Sequence, residues 1–350
     1  MSETILEPEL PIIDPHHHLW DRRPVLAAVQ AAAGPEHPFT AVVRKSPVYL
    51  LDELLEDTGS GHNIRATVFI ECRSMYRADG PVELRPVGET EFVNGVAAMS
   101  ASGLYGEMRA CAGIVGHADM MLGESVQPVL EAHIAAGSGR FRGIRHSVSH
   151  DPDTDVLGPL ALRAPGLYRE AAFQKGVAQL AKNNLSFEAW LLEPQLPQLI
   201  ALVNACPETQ VVLDHVGTPL GIASYEGRRD ERFPIWAANI RELARAPNVT
   251  VKLGGLAMSF CNFPSFLSEP AAPSHQLAKE WGPYLDTCVE AFGADRCMFE
   301  SNFPVDLGSC SYATLWNAFK VFAAGASSDE KRTLFAATAK RIYRLDDIVI

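Results

Sequence analysis

Short apolar segments alternate with longer amphipathic segments along almost the whole chain, and this alternation constrains the fold more than any other feature. The short segments are near-continuous apolar runs, which is typical of parallel strands buried on both faces. The longer segments repeat apolar residues with the spacing of amphipathic helices. We predict eight strands, at 10–14, 65–71, 110–116, 141–146, 185–191, 209–215, 248–254 and 296–302. We predict helices at 46–57, 89–102, 124–137, 167–184, 193–206, 233–247, 274–293, 312–325 and 327–345.

Eight strands that are each followed by a helix indicate an α/β fold, a (β/α)₈ TIM barrel, which we predict as a single domain over residues 1–350. A doubly wound open sheet is the alternative, but no glycine-rich phosphate loop follows the first strand. Active sites of barrels lie at the carboxyl ends of the strands. We therefore interpret segments 21–45, 216–232 and 255–273 as long loops that contact a substrate.

Composition and charge narrow the range of partners. The net charge of −12 argues against nucleic acid, because a phosphate backbone requires a basic surface. The seven cysteines include no CxxC pair, which favours reduced thiols in a cytoplasmic protein. The sequence shows neither a signal peptide nor an apolar run of the ~18 residues that a membrane span needs. We expect a small-molecule substrate and no membrane, and a homo-oligomer is left open.

Histidines follow two of the predicted strands at their carboxyl ends. His16 and His18 lie two residues apart in "IIDPHHHLW", so both imidazoles should face the interior of the barrel, while His17 should point outward. Asp14 is in phase with the pair and could support a ligand. His215 ends the sixth predicted strand in "VVLDHVGTP". Three imidazoles at one rim predict a metal site, whereas a histidine-rich turn without metal is the alternative.

Charged and polar residues end several other strands. Glu300 and Asn302 share one face at the end of the eighth strand, and Glu71 ends the second. Arg145 ends the fourth strand, where a guanidinium could hold a carboxylate, and His146 follows it. A salt bridge between neighbouring strands is the alternative reading of Glu71. Further candidates are less well defined: Glu188 or Glu193 as a ligand, and Lys252 as a partner of Glu71 or Glu300 or as a substrate contact.

Five segments resemble, in the same order, the amidohydrolase-related ("amidohydrolase 2") branch of the amidohydrolase superfamily. They are "IDPHHHLW", "FRGIRH", "VVLDHVGTP", "VTVKLGGL" and "RCMFESNFPVD". The resemblance implies a TIM barrel in which His16 and His18 match the strand-one metal pair. It implies that His215 is a ligand or a group that transfers a proton and stabilises an oxyanion. Arg145 matches a position that holds the substrate carboxylate in relatives resembling 2-pyrone-4,6-dicarboxylate lactonase. Activities in the branch include lactone hydrolysis and non-oxidative decarboxylation, with a divalent metal in some members and none in certain lactonases.

One position departs from this pattern. The branch usually has an aspartate where this chain has Asn302, and a carboxamide is neither a base nor a strong zinc ligand. Glu300 or Glu71 could replace that carboxylate, and a site richer in carboxylate would accept manganese or iron as well as zinc.

These features predict a metal-dependent hydrolase of a small carboxylate-bearing lactone, ester or amide. We expect zinc on His16, His18 and His215, with Glu300 taking a proton and Asn302 orienting water or substrate. We expect Arg145, His146 and Glu71 to contact the substrate. The alternatives are a non-oxidative decarboxylase or another metal-dependent enzyme on the same barrel, and a non-catalytic homologue.

Overall fold

A computed structural model describes residues 3–30, 36–161 and 164–350 and confirms the predicted barrel. Its eight strands form one parallel sheet in which each strand pairs with the next in sequence. The strands are β1 (Pro11–His17), β2 (Asn63–Ile70), β3 (Arg109–Gly116), β4 (Phe141–Arg145), β5 (Ser186–Ala189), β6 (Val211–Leu213), β7 (Val249–Leu253) and β8 (Cys297–Phe299). Each lies at its predicted place, but β6 and β8 end before their polar residues.

Residues beyond the end of β8 close the barrel against β1. The backbone N–H of Asn302 donates to the carbonyl of His16, and that of His18 donates to the carbonyl of Phe303, both at 2.8 Å. A parallel bridge also joins His17 to Phe303. The closure therefore lies at the carboxyl rim, where the histidines and Glu300 are located.

Helices cover the outside of the barrel. They are α1 (Arg23–Gln30), α2 (Pro38–Lys45), α3 (Leu51–Thr58), α4 (Val87–Ala101), α5 (Gln127–Ala136), α6 (Thr154–Leu157), α7 (Ala171–Lys182), α8 (Leu196–Ala205), α9 (Arg229–Leu243), α10 (Ser274–Phe292), α11 (Tyr312–Phe322), α12 (Ser328–Arg332) and α13 (Thr338–Ile342). A π-helical turn, Thr333–Ala337, joins the last two.

Two predictions about the segment after β1 are wrong. Segment 21–45 is mostly helical, since α1 and α2 occupy it, although residues 31–35 lie outside the described residues. The helix predicted at 46–57 begins only at Leu51, because Val48–Tyr49 pairs with Trp20–Asp21 as a short antiparallel ribbon. The Glu53 carboxylate then caps α3 by accepting from the Leu50 N–H at 2.8 Å.

The lower part of the barrel interior is filled with apolar side chains. Strand residues such as Ile13, Val68 and Val212 are fully buried there. The carboxyl-terminal segment contributes Ala339 and Tyr343 to the same cluster, and so closes the amino-terminal end of the barrel. Only the carboxyl end of the interior is left for polar groups.

Among the helices of the described residues, none is both long and apolar enough to cross a membrane. All seven cysteines fall within the described ranges and none forms a disulfide.

Candidate active site

Three buried side chains meet at the carboxyl ends of β1, β6 and β8. Glu300 Oε2 lies 2.7 Å from His16 Nδ1, and Glu300 Oε1 lies 2.7 Å from His215 Nδ1. The same Oε1 accepts a hydrogen bond of 3.1 Å from the backbone N–H of His215. Burial, together with the nearby Lys252 charge, lowers the pKa of His16 to about 4, so its ring is neutral at neutral pH. His215 Nδ1 is hydrogen-bonded to Glu300 Oε1, which fixes the orientation of the His215 ring, and His16 contacts the other oxygen of the same carboxylate.

Two glycines after β7 make room for this arrangement. A Cβ on Gly254 would lie 2.5 Å from Glu300 Cγ, and a Cβ on Gly255 would lie 2.5 Å from His215 Cγ. Gly255 also has a φ of +67°, in the left-handed region that glycine enters without steric cost. The pair in "VKLGGL" therefore leaves space for the two side chains that it faces.

A second group of buried charges lies below His16. Lys252 Nζ lies 2.8 Å from Glu188 Oε2, 3.1 Å from Asp214 Oδ1 and 3.2 Å from His16 Nδ1. From the closed end of the barrel, the Tyr343 hydroxyl donates a hydrogen bond of 2.8 Å to Glu188 Oε1. Lys252 therefore pairs with Glu188 and Asp214, and not with Glu71 or Glu300 as the sequence suggested. It supports the site from within the barrel.

Arg145 connects the end of β4 with β2 and β6. Its Nε donates to Glu71 Oε1 at 3.0 Å and its Nη2 to the Glu71 carbonyl, while Nη1 lies 3.4 Å from Asp214 Oδ2 and 3.3 Å from His16 Nε2. Burial would raise the pKa of Glu71, but Arg145 outweighs that effect and the pKa lies below its ordinary value. Glu71 is therefore ionised at neutral pH. Glu71 thus forms a salt bridge, but with a residue of β4, two strands away, and not with a neighbouring strand as the alternative had it.

These groups lie beneath a pocket of about 240 Å³ that opens at the carboxyl rim. The largely buried side chains of Glu71, Arg145 and His215 line its floor, and Trp190 and Phe260 form an aromatic wall. Side chains of α1 and α2 also line it, so the segment interpreted as a loop does reach the pocket, but as helices. Within the described ranges, Glu71 Oε2 and Trp190 Nε1 are buried atoms without a hydrogen-bond partner. A bound ligand could satisfy both.

The predicted histidine cluster is only partly assembled. His16 and His215 have ring centroids 4.6 Å apart, and His18 lines the pocket with its centroid 5.0 Å from His16. His18 Nδ1 lies 2.8 Å from the Ile70 carbonyl, so only its Nε2 remains for a ligand. In the described part of the chain, the three ligand atoms that approach within 4.8 Å of one another belong to His16, His215 and Glu300. Glu300, and not His18, is thus the third member of this group.

A bulge in β1 accounts for the orientations of Asp14 and His17. The register gains one residue between Asp14 and His17, which reverses the phase of the strand. Asp14 therefore contacts Ser301 Oγ at 2.6 Å and the Tyr312 hydroxyl at 3.0 Å, and supports the strand end rather than an imidazole. His17 faces away from the barrel interior, as predicted, with its Nε2 2.9 Å from Thr67 Oγ1.

His146 and Asn302 have different surroundings from those predicted. His146 Nδ1 accepts from the Met120 N–H at 3.1 Å and its ring packs on Phe173, so it is not among the described residues that line the pocket. The helix layer, rather than a substrate, satisfies it. Asn302 does line the pocket, but its Nδ2 donates to Asp306 Oδ1 at 2.7 Å.

The sequence analysis did not single out Asp214. It directly precedes His215 and contacts both Arg145 and Lys252, so it links the two cations of the site. Its position at the end of an apolar strand was a usable signal, because a buried carboxylate requires a partner.

The centre of the site fits a divalent metal ion. Two imidazoles and a carboxylate, here His16, His215 and Glu300, are a ligand set of catalytic zinc sites. The connected cluster contains four carboxylates and two cations, so its formal charge is −2 (two minus four) when every carboxylate is ionised. Burial raises the pKa of Glu188 to about 8, so at neutral pH a smaller excess of negative charge remains, which a bound cation would offset. The charged members of this cluster are Glu71, Glu188, Asp214, Glu300, Arg145 and Lys252.

The chain belongs to the amidohydrolase family, whose model matches residues 13–345. It is 32% identical over 343 residues to protein y4mH of Sinorhizobium fredii, covering 96% of this chain and 99% of that protein. It is 30% identical over 238 residues to an L-fucono-1,5-lactonase of Burkholderia multivorans, covering 67% of this chain and 72% of the lactonase.

A solved structure is similar along almost its full length. It is a crystal structure of an amidohydrolase from Burkholderia multivorans with bound zinc, with a TM-score of 0.70 and 25% identity. The match covers 95% of this chain and 99% of that chain. The family and the fold therefore agree, and this chain is an enzyme of the amidohydrolase superfamily.

Proposed function

We propose that this enzyme is a metal-dependent hydrolase that opens a small carboxylate-bearing lactone, or cleaves a related ester or amide. The observation that carries the proposal is the buried group of His16, His215 and Glu300, of which His215 lines the pocket. The lactonase and the zinc-bound amidohydrolase among its relatives favour the same chemistry. Zinc is our first choice of ion, and manganese and iron are the alternatives.

His16, His215 and Glu300 would hold the ion. A bound divalent ion supplies a polarised substrate carbonyl and a water whose pKa is lowered to about 7. Lys252 Nζ and Asp214 Oδ1 lie 3.2 Å and 3.6 Å from His16 Nδ1, so they would help to keep that imidazole in place during turnover.

We assign the proton transfer to Glu71, one of the two carboxylates that the sequence offered, rather than to Glu300. Burial raises the pKa of a carboxyl, but the contacts of Glu300 with His215 and His16 outweigh burial and bring its pKa to about 2. Glu300 is also one of the residues that would hold the ion. Glu71 Oε2 lacks a hydrogen-bond partner among the described residues and its side chain lines the pocket. It is placed to take a proton from water.

Arg145 is the group that we expect to stabilise charge on the substrate oxygen. A guanidinium has five N–H donors, and the four contacts of Arg145 leave one N–H on Nη2. Because the side chain lines the pocket, that donor can reach a carbonyl oxygen as negative charge develops.

The test compares Glu71→Gln and Glu300→Gln on a panel of small lactones and esters. We expect Glu71→Gln to lose about 10²-fold or more in kcat, as for loss of a general base, and to keep its metal. Glu300→Gln should lose both metal and turnover. The exposed Glu208→Gln is a matched control that should behave as wild type. Wild-type turnover by Glu71→Gln would remove its role, and release of carbon dioxide without hydrolysis would favour a decarboxylase.

A further inference from the structure

The lining of the pocket carries an excess of positive charge. Among the described lining residues, three are arginines, Arg22, Arg73 and Arg145, and one is a carboxylate, Glu71. The formal charge of the lining is therefore +2 (three minus one) in a chain whose net charge is −12. A local field of this sign attracts an anionic ligand to a protein that otherwise repels one.

The three arginines differ in how far they are already paired. Arg145 is buried and bound to Glu71 and Asp214, so its charge is largely balanced within the site. Arg73 is exposed at the rim and makes neither a hydrogen bond nor an ion pair within residues 3–30, 36–161 and 164–350. The charge available to a ligand is therefore that of Arg73.

Arg22 lies beside Arg73. Its Nη2 donates to the carbonyl of Cys72, the residue that precedes Arg73, and its guanidinium lies over the Trp20 ring at 5.3 Å. Arg22 thus contacts the residue next to Arg73, and both arginines line the pocket. The contact with Cys72 satisfies one of the five Arg22 donors.

The segment that carries Arg73 is held in a defined conformation. Arg73 has a φ of +59°, in the left-handed region that side chains other than glycine seldom adopt. The fully buried Glu89 Oε1 accepts from the N–H of Cys72 at 3.1 Å and from the N–H of Ser74 at 2.7 Å. These two residues flank Arg73, so the clamp fixes the point from which its side chain leaves the backbone. Strained conformations that the surrounding structure enforces are found at ligand-binding sites.

We propose that Arg73, assisted by Arg22, binds an anionic substituent of the substrate and makes the site select anionic over neutral lactones. The proposal rests on the proposed function. It moves the recognition of the substrate carboxylate from Arg145, which the sequence suggested, to the rim. The lactone ring would lie between this pair and the reacting groups on the floor, against Trp190.

The test uses two lactones that differ only in a free carboxylate and its carboxamide. In Arg73→Gln the ratio of kcat/KM for the anionic over the neutral lactone falls about tenfold or more, mainly through KM, as for loss of a charge-assisted hydrogen bond. Arg73→Lys keeps the charge and should retain part of the preference. Arg241→Gln removes another exposed arginine, on α9 and outside the pocket, and is the matched control that keeps the wild-type ratio.

A binding measurement separates this proposal from the proposed function. Calorimetry with glutarate, a small dicarboxylate, should give at least tenfold weaker binding to Arg73→Gln than to wild type, with an affinity that falls as salt rises. That result supports the role of Arg73 even if no lactone is hydrolysed. Equal glutarate affinities in the two proteins, or an unchanged kcat/KM ratio, would overturn it even if hydrolysis is found.

Discussion

Replacing Gly255 by alanine tests whether the position of His215 depends on the space beside it. The new Cβ would lie 2.5 Å from both Cβ and Cγ of His215. The ring cannot retreat without lengthening its 2.7 Å contact with Glu300. We therefore expect Gly255→Ala to fold but to displace His215 from the metal site.

The cost has two parts that a matched control separates. A left-handed φ costs an L-residue about 1–2 kcal/mol, and Gly166→Ala at φ +77° carries the same cost. In the described chain, nothing lies within 4 Å of a Cβ on Gly166, so that variant has no overlap. Overpacking a buried site costs a further ~1–3 kcal/mol, which we expect only in Gly255→Ala.

Thermal unfolding and steady-state turnover measure the two effects. Gly255→Ala should melt several degrees below Gly166→Ala, because about 1 kcal/mol shifts the midpoint of a large domain by about 2–4 °C. Its kcat should fall about 10²-fold, as for a catalytic group misplaced by about 1 Å. Equal midpoints and equal turnover in the two variants would refute the packing argument.

Three further changes test other parts of the structure. Burial lowers the pKa of His133 from an ordinary 6.5 to about 4. Between these pH values the unfolded chain binds a proton that the folded chain does not. Lowering the pH therefore destabilises the fold, by up to ~1.4 kcal/mol for each pH unit. The melting temperature of His133→Gln should therefore fall less than that of wild type between pH 7 and 5, and parallel pH curves would contradict this. Asn302→Asp should lower the melting temperature without raising turnover. Asn302 Nδ2 donates to Asp306 Oδ1 at 2.7 Å, and an aspartate in its place would have to share a proton with the Asp306 carboxylate. Faster hydrolysis by this variant would contradict the prediction. Lys252→Met should lose about 3–5 kcal/mol of stability, because it leaves Glu188 buried without a cation and Asp214 with Arg145 alone. An unchanged melting temperature would show that Lys252 is not needed for stability.

The strand pattern predicted the barrel and the rim on which the site lies. Apolar runs that end in polar residues brought His16, His215, Arg145 and Glu71 to one end of the barrel because parallel strands all end there. That inference needs only the order of strands and their direction, which the sequence pattern contains.

The contacts within the site could not be predicted in the same way. Strand β8 stops at Phe299, so Glu300 lies beyond the regular alternation of faces and turns toward both imidazoles. The bulge in β1 reverses the phase that would have placed Asp14 beside His16. Such details depend on register shifts and on which of several carboxylates reaches each cation, and neither is set by local spacing.

The helices α1 and α2 escaped prediction for a related reason. Each has eight residues, and an isolated helix of that length is only marginally stable in water. They form here because their apolar sides cover the pocket. Proline and glycine in segment 21–45 favoured a loop when only the sequence was considered.

The most direct test of the metal centre is the metal content of the pure protein after equilibrium dialysis against zinc. We compare wild type with two single variants, His16→Ala and His18→Ala, each of which removes one histidine of the same segment. The structure predicts one ion per chain in wild type and in His18→Ala, and loss of the ion in His16→Ala. Loss of the ion only in His18→Ala, or full turnover by wild-type protein that binds no metal, would contradict a centre built from His16, His215 and Glu300.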